Sequence, residues 1–202
     1  MKKLSKKNYP TIVKKLLPFF VKAGKKSIEL SGKKLKIFIK SDQTPVSNGD
    51  LAVDKILQDA IRLITPDIEI VSEETVENNK VGIRTTFWLI DPIDGTSSYI
   101  KNKDEYTLNA ALIVNRKPVI GIVFAPKKKR LFYSYGKGHA YEIKNNKKIK
   151  LQCNLIKKNA VAALMNSSKP SKIIKKILTK HKATTFLDVG SSYKFCLIAS
   201  GE

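Results

Sequence analysis

Cysteine is scarce in this chain, and its two copies, Cys153 and Cys196, stand far apart with no CxxC pair. Neither a zinc site nor a disulfide framework is indicated, so both are expected in the core as small apolar side chains. Histidine is as rare, and His139 and His181 fall in contexts that suit loop or surface positions rather than catalysis. No motif for a covalent nucleophile is present, and there are no repeats or low-complexity linkers. No apolar run approaches the ~20 residues needed to cross a bilayer. The lysine-rich start, Met1 to Lys7, is not followed by the unbroken apolar stretch of a secretory signal. A cytoplasmic location without membrane attachment is therefore expected.

Acidic residues are also few, 17 against 39 basic ones in 202 residues. Their placement is uneven. Residues 1–40 carry +12, residues 41–105 carry −7 and residues 106–202 carry +17. A basic chain that gathers its carboxylates in one third of its length reads as using some of them to bind a cation, with basic surroundings that would draw in an anionic substrate. A solvated lysine surface accounts for the excess equally well. Lysine supplies 35 of the 39 basic residues, and arginine does not alternate with aromatics as it does where single-stranded bases stack. A nucleic-acid partner would rest on charge alone and is not expected.

The 42% hydrophobic content is ample for a core. Ile12, Val13, Leu16, Leu17, Phe20 and Val21 recur at helical spacing and predict a helix from Tyr9 to about Leu30, kinked at Pro18. A second helix is predicted from Ser47 to Asp50 onward, with Val53, Ile56, Leu57, Ala60, Ile61 and Ile64 on one face, until Thr65-Pro66 ends it. A short strand, Ile68 to Val71, delivers Glu73 and Glu74, and a polar loop from Thr75 to Gly82 follows. Four β-prone runs, Tyr106–Val114, Pro118–Phe124, Leu131–Tyr135 and Gly138–Ile143, read as an antiparallel meander. The polar stretch 144–150 marks a boundary between an N-terminal subdomain (1–150) and a smaller α/β subdomain (151–202). The latter contains a strand (Ala160–Met165), a helix (Pro170–His181), a strand (Thr184–Val189) and a helix opening at Gly190-Ser191-Ser192.

The densest chemistry lies in Trp88-Leu89-Ile90-Asp91-Pro92-Ile93-Asp94-Gly95-Thr96. Residues 86–90 read as a buried strand that ends on Asp91, followed by a turn stiffened by Pro92. Gly95 removes a side chain where an anion would approach, and Thr96 is placed to cap a following helix. Magnesium takes hard oxygen ligands in near-octahedral geometry, commonly one or two carboxylates with substrate phosphate. Two aspartates on one rigid turn suit it, although Asp, Pro and Gly are also ordinary turn residues.

Thr44-Pro45-Val46-Ser47-Asn48-Gly49-Asp50, Ser72-Glu73-Glu74 and Asp91-Pro92-Ile93-Asp94-Gly95-Thr96 together resemble, in order and spacing, the inositol monophosphatase superfamily of magnesium-dependent, lithium-sensitive phosphatases. Within it the chain is most similar to the 3′(2′),5′-bisphosphate nucleotidases, which convert adenosine 3′,5′-bisphosphate to AMP. Residues 104–113, Gly121–Pro126 and Gly190–Cys196 support the match. The resemblance implies a layered α/β fold, with paired helices on a mostly antiparallel sheet and an incomplete smaller C-terminal α/β half. It further implies two or three Mg2+ ions held by Glu73, Asp91, the Ile93 carbonyl and Asp94. Asp50 with Thr96 would orient and deprotonate the attacking water, Gly95 and Thr96 would contact phosphate, and Ser191 and Lys194 would hold the nucleotide portion and second phosphate. Glu74 is either a supporting base or only a neighbour of Glu73. The partner implied is a small phosphorylated substrate, and a homodimer is expected.

Two departures accompany the resemblance. The family's Ser-Arg-Ser-His segment stands here as Asn166-Ser167-Ser168-Lys169, which admits an inositol phosphate or another small ester as substrate. The family's closing Trp-Asp-x-Ala segment, whose aspartate completes the metal site, has no counterpart, since the only tryptophan is Trp88 and the last aspartate is Asp188. The sequence thus reads as C-terminally truncated relative to the family, either active or a catalytically impaired homologue that still binds metal and phosphate.

Overall fold

The computed structural model describes residues 4–75, 85–153, 161–165 and 170–202. The chain opens with α1 (Tyr9–Leu30), then β1 (Ile37–Ile39), β2 (Pro45–Ser47) and α2 (Asn48–Ile64). Next come β3 (Glu69–Ser72), β4 (Thr86–Asp94) and the one-turn α3 (Thr96–Ile100). Strands β5 (Thr107–Val114), β6 (Lys117–Ala125), β7 (Arg130–Ser134), β8 (Ala140–Lys144) and β9 (Lys147–Lys150) follow. The chain closes with β10 (Val161–Met165), α4 (Lys172–Lys180), β11 (Ala183–Asp188) and α5 (Tyr193–Ser200).

The central sheet has the order β3-β4-β5-β6-β7-β8-β9. Only the β3–β4 pair is parallel; every later pair is antiparallel, and short turns join β5 through β9. The meander therefore forms as expected and gains one strand, residues 147–150 pairing with β8. Asn145 and Asn146 both take positive φ, the backbone that lets a two-residue hairpin match the strand twist. A separate parallel pair, β10–β11, is bridged by α4.

Helices α1 and α2 pack on each other and on one sheet face. Leu16 and Phe20 of α1, Val53, Leu57 and Ile61 of α2, and Trp88, Leu108, Leu112 and Ile120 of the sheet form its fully buried centre. Helix α1 runs on through Pro18. Helix α2 starts on a capping box and stops at Thr65, before Pro66. Thr65 also accepts the Trp88 indole N–H at 3.0 Å, so the polar edge of this buried ring is satisfied.

Strand β4 departs from the sequence expectation in two ways. Trp88 and Ile90 point into the core but Leu89 is 45% exposed, so the helix pair covers one face only. The strand also continues past Asp91 to Asp94, with a register shift between them. Pro92 offers no N–H to the ladder, and an irregularity there accommodates its absence. On the second sheet face, Ala125 and Phe132 pack with Val189, Tyr193, Cys196 and Leu197 around α5. Burial pushes the Cys196 thiol up to about 12. Cys153, expected in the core, is exposed instead, its thiol donating to the Ile198 carbonyl at 3.5 Å. It follows the last strand of the sheet.

Around α4 and β11 the chain leaves Ile173, Ile177, Phe186 and Leu187 exposed. Among the described residues no helix is long and apolar enough to cross a membrane. Most of the loop expected from Thr75 to Gly82, and all of Asn166-Ser167-Ser168-Lys169, lie outside the described residues.

Candidate active site

Parallel pairing of β3 with β4 sets Ser72 opposite Ile90, and the Glu73 N–H then donates to the Ile90 carbonyl at 3.1 Å. This backbone bond brings Glu73 alongside Asp91. Behind it, Asp54 of α2 accepts from the Ser72 hydroxyl at 2.5 Å and from Gln58 at 2.7 Å, which ties the end of β3 to the helix. Asp54 is buried, and desolvation lifts its pKa against those two bonds.

Asp91 is the electrostatic centre of the cluster. Its pKa is raised to about 7, first by burial and then by the charges of Glu73 and Asp94 and a hydrogen bond with Glu73, against the opposing hydrogen bond from Asn109. Asn109 lies opposite Asp91 in the β4–β5 register. The Oδ1 atom of Asp91 is buried without a hydrogen-bond partner. Such an orphaned carboxylate oxygen, with two more acids nearby, is what a cation-binding site presents.

Asp50 is committed to the helix cap. The Ser47 hydroxyl accepts from the Gly49 and Asp50 N–H groups at 3.1 and 3.2 Å, while Asp50 Oδ2 accepts from the Ser47 N–H at 2.8 Å and its hydroxyl at 2.5 Å. Desolvation raises the Asp50 pKa in spite of these bonds. Gly49 is required beside it, because a Cβ there would fall 2.2 Å from the Tyr99 hydroxyl oxygen. Asp50 reaches the other acids through Glu74, whose pKa burial raises with help from the Asp50 and Glu73 charges. Glu74 pairs with Lys40 at 2.7 Å. Burial works against the Lys40 charge, yet the hydrogen bond to Glu74 and the surrounding acids leave its pKa raised.

After Asp94 the chain turns on Gly95 at φ +92°, a left-handed conformation in which a Cβ would also press on the Glu105 carbonyl at 3.1 Å. Thr96 does not cap α3. Gly95 is the cap residue, and the Thr96 hydroxyl donates back to the Ile93 carbonyl at 3.2 Å. Among the described residues no hydrogen bond joins Thr96 to Asp50, since each is engaged locally.

The C-terminal loop closes over this turn. The Ser192 N–H donates to Asp94 Oδ2, and its hydroxyl meets Thr107 Oγ1 at 2.7 Å and Asn109 Oδ1 at 2.9 Å. Ser191, at φ +54°, sits beside Gly95. Lys194 lies one residue beyond Tyr193, its ammonium 5.5 Å from the Phe195 ring centroid. The structure thus brings Glu73 and Asp94 within electrostatic reach of Asp91, Ser191 to Gly95, and Asp50 within electrostatic reach of Glu74. His139 stacks on Tyr135 at 4.9 Å and His181 follows α4, both away from the acids.

Sequence reasoning passed over Asn109, Ser192 and Lys40. Asn109 had a signal, a lone amide in the apolar run Leu108-Asn109-Ala110-Ala111-Leu112. The other two act through contacts across the fold and leave no local pattern.

Hard carboxylate oxygens, one of them orphaned, fit a divalent cation of the magnesium type. Among the described residues no three His, Cys, Asp or Glu side chains stand close enough to cage an ion unaided. Magnesium seldom uses an all-protein cage, keeping waters and taking substrate phosphate instead, so a carbonyl such as that of Ile93 and the substrate have room in the set.

A 3′(2′),5′-bisphosphate nucleotidase CysQ of Buchnera aphidicola is 34% identical over 172 residues, covering 85% of this chain and 64% of its own length. The corresponding CysQ of Escherichia coli O6:H1 is 33% identical over 171 residues, covering 84% of this chain and 68% of its own length. The chain therefore spans about two thirds of these curated relatives. A staphylococcal IMPase-I solved with products superposes with a TM-score of 0.77 at 19% identity, over 95% of this chain and 72% of that one, and so shares the fold. Across residues 13–202 the sequence matches the model of the inositol monophosphatase family, and the chain belongs to that family.

Proposed function

We propose that the site is that of a magnesium-dependent phosphomonoesterase acting on a small bisphosphate, with adenosine 3′,5′-bisphosphate as substrate and AMP and phosphate as products. The observation that carries this reading is Asp91: a carboxylate within β4 with one orphaned oxygen, neighboured by Glu73 and Asp94, in a chain one third identical to proteins named as bisphosphate nucleotidases. Glu73, Asp91, the Ile93 carbonyl and Asp94 would hold the cations. Bound there, Mg2+ would neutralise phosphate charge and acidify a nearby water.

The chain's own residues would supply position and proton transfer, which is most of what phosphoryl transfer asks of a protein. Water attacks phosphorus in line, the ester P–O bond breaks, and the leaving alkoxide takes up a proton from solvent water. Asp50 would accept the proton of the attacking water, a role its raised pKa favours. Thr96 would orient that water once its hydroxyl turns from Ile93 toward Asp50. The side-chain-free Gly95 would admit the phosphate, with Ser191 and Lys194 taking the nucleotide portion and second phosphate. Two or three ions, lithium inhibition and a homodimer belong to the same reading.

Phosphate release from adenosine 3′,5′-bisphosphate, with and without Mg2+, tests it. Release that needs Mg2+ and falls about a hundred- to a thousandfold in Asp94→Asn is expected, the scale on which a preorganised electrostatic group acts. Metal-independent release, or none from a folded wild-type chain with any of adenosine 3′,5′-bisphosphate, NADP or inositol monophosphate, refutes it.

A further inference from the structure

Arg130 of β7 is 5% exposed, so its charge must be matched where it lies. Its Nε and Nη2 donate to the two Glu142 carboxylate oxygens of β8 at 2.5 and 3.1 Å. Its Nη1 donates to the Tyr193 hydroxyl at 2.9 Å and to Glu202 Oε2 at 3.1 Å, and Nη2 also reaches Glu202 Oε1. The Phe132 and Tyr193 rings flank the guanidinium, 5.0 and 5.7 Å from its carbon. One rigid fork therefore joins two sheet strands to both ends of α5.

This helix has only eight residues, too few to hold itself in water, so tertiary contacts set its place. The apolar contacts of Tyr193, Cys196 and Leu197 attach it to the sheet but are non-directional. The hydrogen bond from Arg130 to the Tyr193 hydroxyl is directional and fixes rotation about the helix axis. One residue before Tyr193 stands Ser192, whose N–H donates to Asp94 and whose hydroxyl engages Thr107 and Asn109. Asn109 faces Asp91 across the β4–β5 ladder.

We propose that Arg130 is a positioning residue for the candidate active site: by anchoring Tyr193 it sets where Ser192 meets Asp94. The inference rests on the function proposed above. The contacts of Arg130 are with Glu142, Tyr193, Glu202 and Phe132, and in this proposal it acts through α5. Nothing in the run Lys127-Lys128-Lys129-Arg130 singled it out, because its partners lie 12, 63 and 72 positions away.

The test uses the whole chain as wild type, Tyr193→Phe and Arg130→Lys. Tyr193→Phe deletes the hydroxyl that Arg130 binds and keeps the ring; Arg130→Lys keeps the charge and loses the fork. Three quantities are read: the Ser192 amide resonance in metal-free protein, the Mg2+ half-saturation by calorimetry, and the urea midpoint. Tyr193→Phe is expected to move the Ser192 resonance and raise the Mg2+ half-saturation about three- to tenfold, at the lower end of what supporting hydrogen bonds contribute to metal affinity, with Arg130→Lys at least as large an effect. An unmoved resonance and unchanged affinity in Tyr193→Phe, even with a lower urea midpoint, overturn the proposal and leave Arg130 a structural clamp only. A wild-type chain that binds no Mg2+ overturns the functional reading and the proposal with it. Binding by wild type with no change in the variants overturns the proposal alone. Should Arg130→Lys fail to fold, the milder Tyr193→Phe decides.

Discussion

Removing the charge of Asp91 should make the metal-free protein more stable, in a way that depends on pH. The Asp91 pKa stands at about 7 in the folded chain against an ordinary 3.8. Between those values the folded state binds more protons than the unfolded one, so stability is fully present below pH 3.8 and is lost as pH rises toward 7. At ~1.4 kcal/mol per tenfold change in proton affinity, the whole difference is about 4 kcal/mol. Partial solvent contact screens it to about 2 kcal/mol. Asp91→Asn, in EDTA, should thus gain about 2 kcal/mol at pH 8 and less than half of that at pH 4.5. With a urea dependence of ~2 kcal/mol per molar, the midpoint at pH 8 rises by about 1 M. Saturating Mg2+ should reverse the order, because only the wild type gains binding energy from the ion. An unchanged or lowered midpoint at pH 8, or a gain equal at both pH values, refutes the reasoning.

Two further substitutions test the frame around the acids. Ser47→Ala removes both the helix cap and the hydroxyl that holds Asp50, and should lower stability by about 1–2 kcal/mol in urea titrations, together with a fall in kcat. Gly95→Ala forces a Cβ into a left-handed backbone, 3.1 Å from the Glu105 carbonyl. It should cost about 1–3 kcal/mol and abolish phosphate release, and a wild-type melting curve would contradict this account of the turn.

Local chemistry made most of the fold readable from sequence. The spacing of Leu16 and Phe20, and of Val53, Leu57 and Ile61, gave both long helices because one face of each is buried on the sheet. Ser47 and Pro66 bracket α2 because caps and prolines act within a turn of the residue that carries them. The meander was legible for the same reason. At the site, Asp91, Asp94 and Gly95 are close in sequence and Glu73 directly follows the neighbouring strand, so the centre of the cluster could be located. The local bonds of Thr96 and Asp50 could not, since either hydroxyl or carboxylate can satisfy its own backbone as readily as a distant partner. The exposure of Leu89 depends on which sheet faces are covered, and no residue type records that. The ties from Ser192 to Asp94 and from Arg130 to Tyr193 join residues that only the finished fold brings together.

The central claim, that Glu73, Asp91 and Asp94 converge on divalent cations, is tested most directly by crystals grown with Mn2+ and measured at the manganese absorption edge. An anomalous peak within about 2.5 Å of carboxylate oxygens from at least two of these residues, the reach of oxygen ligands to such ions, is the expected result. A well-ordered site with no peak there, or with manganese bound only elsewhere, would contradict it.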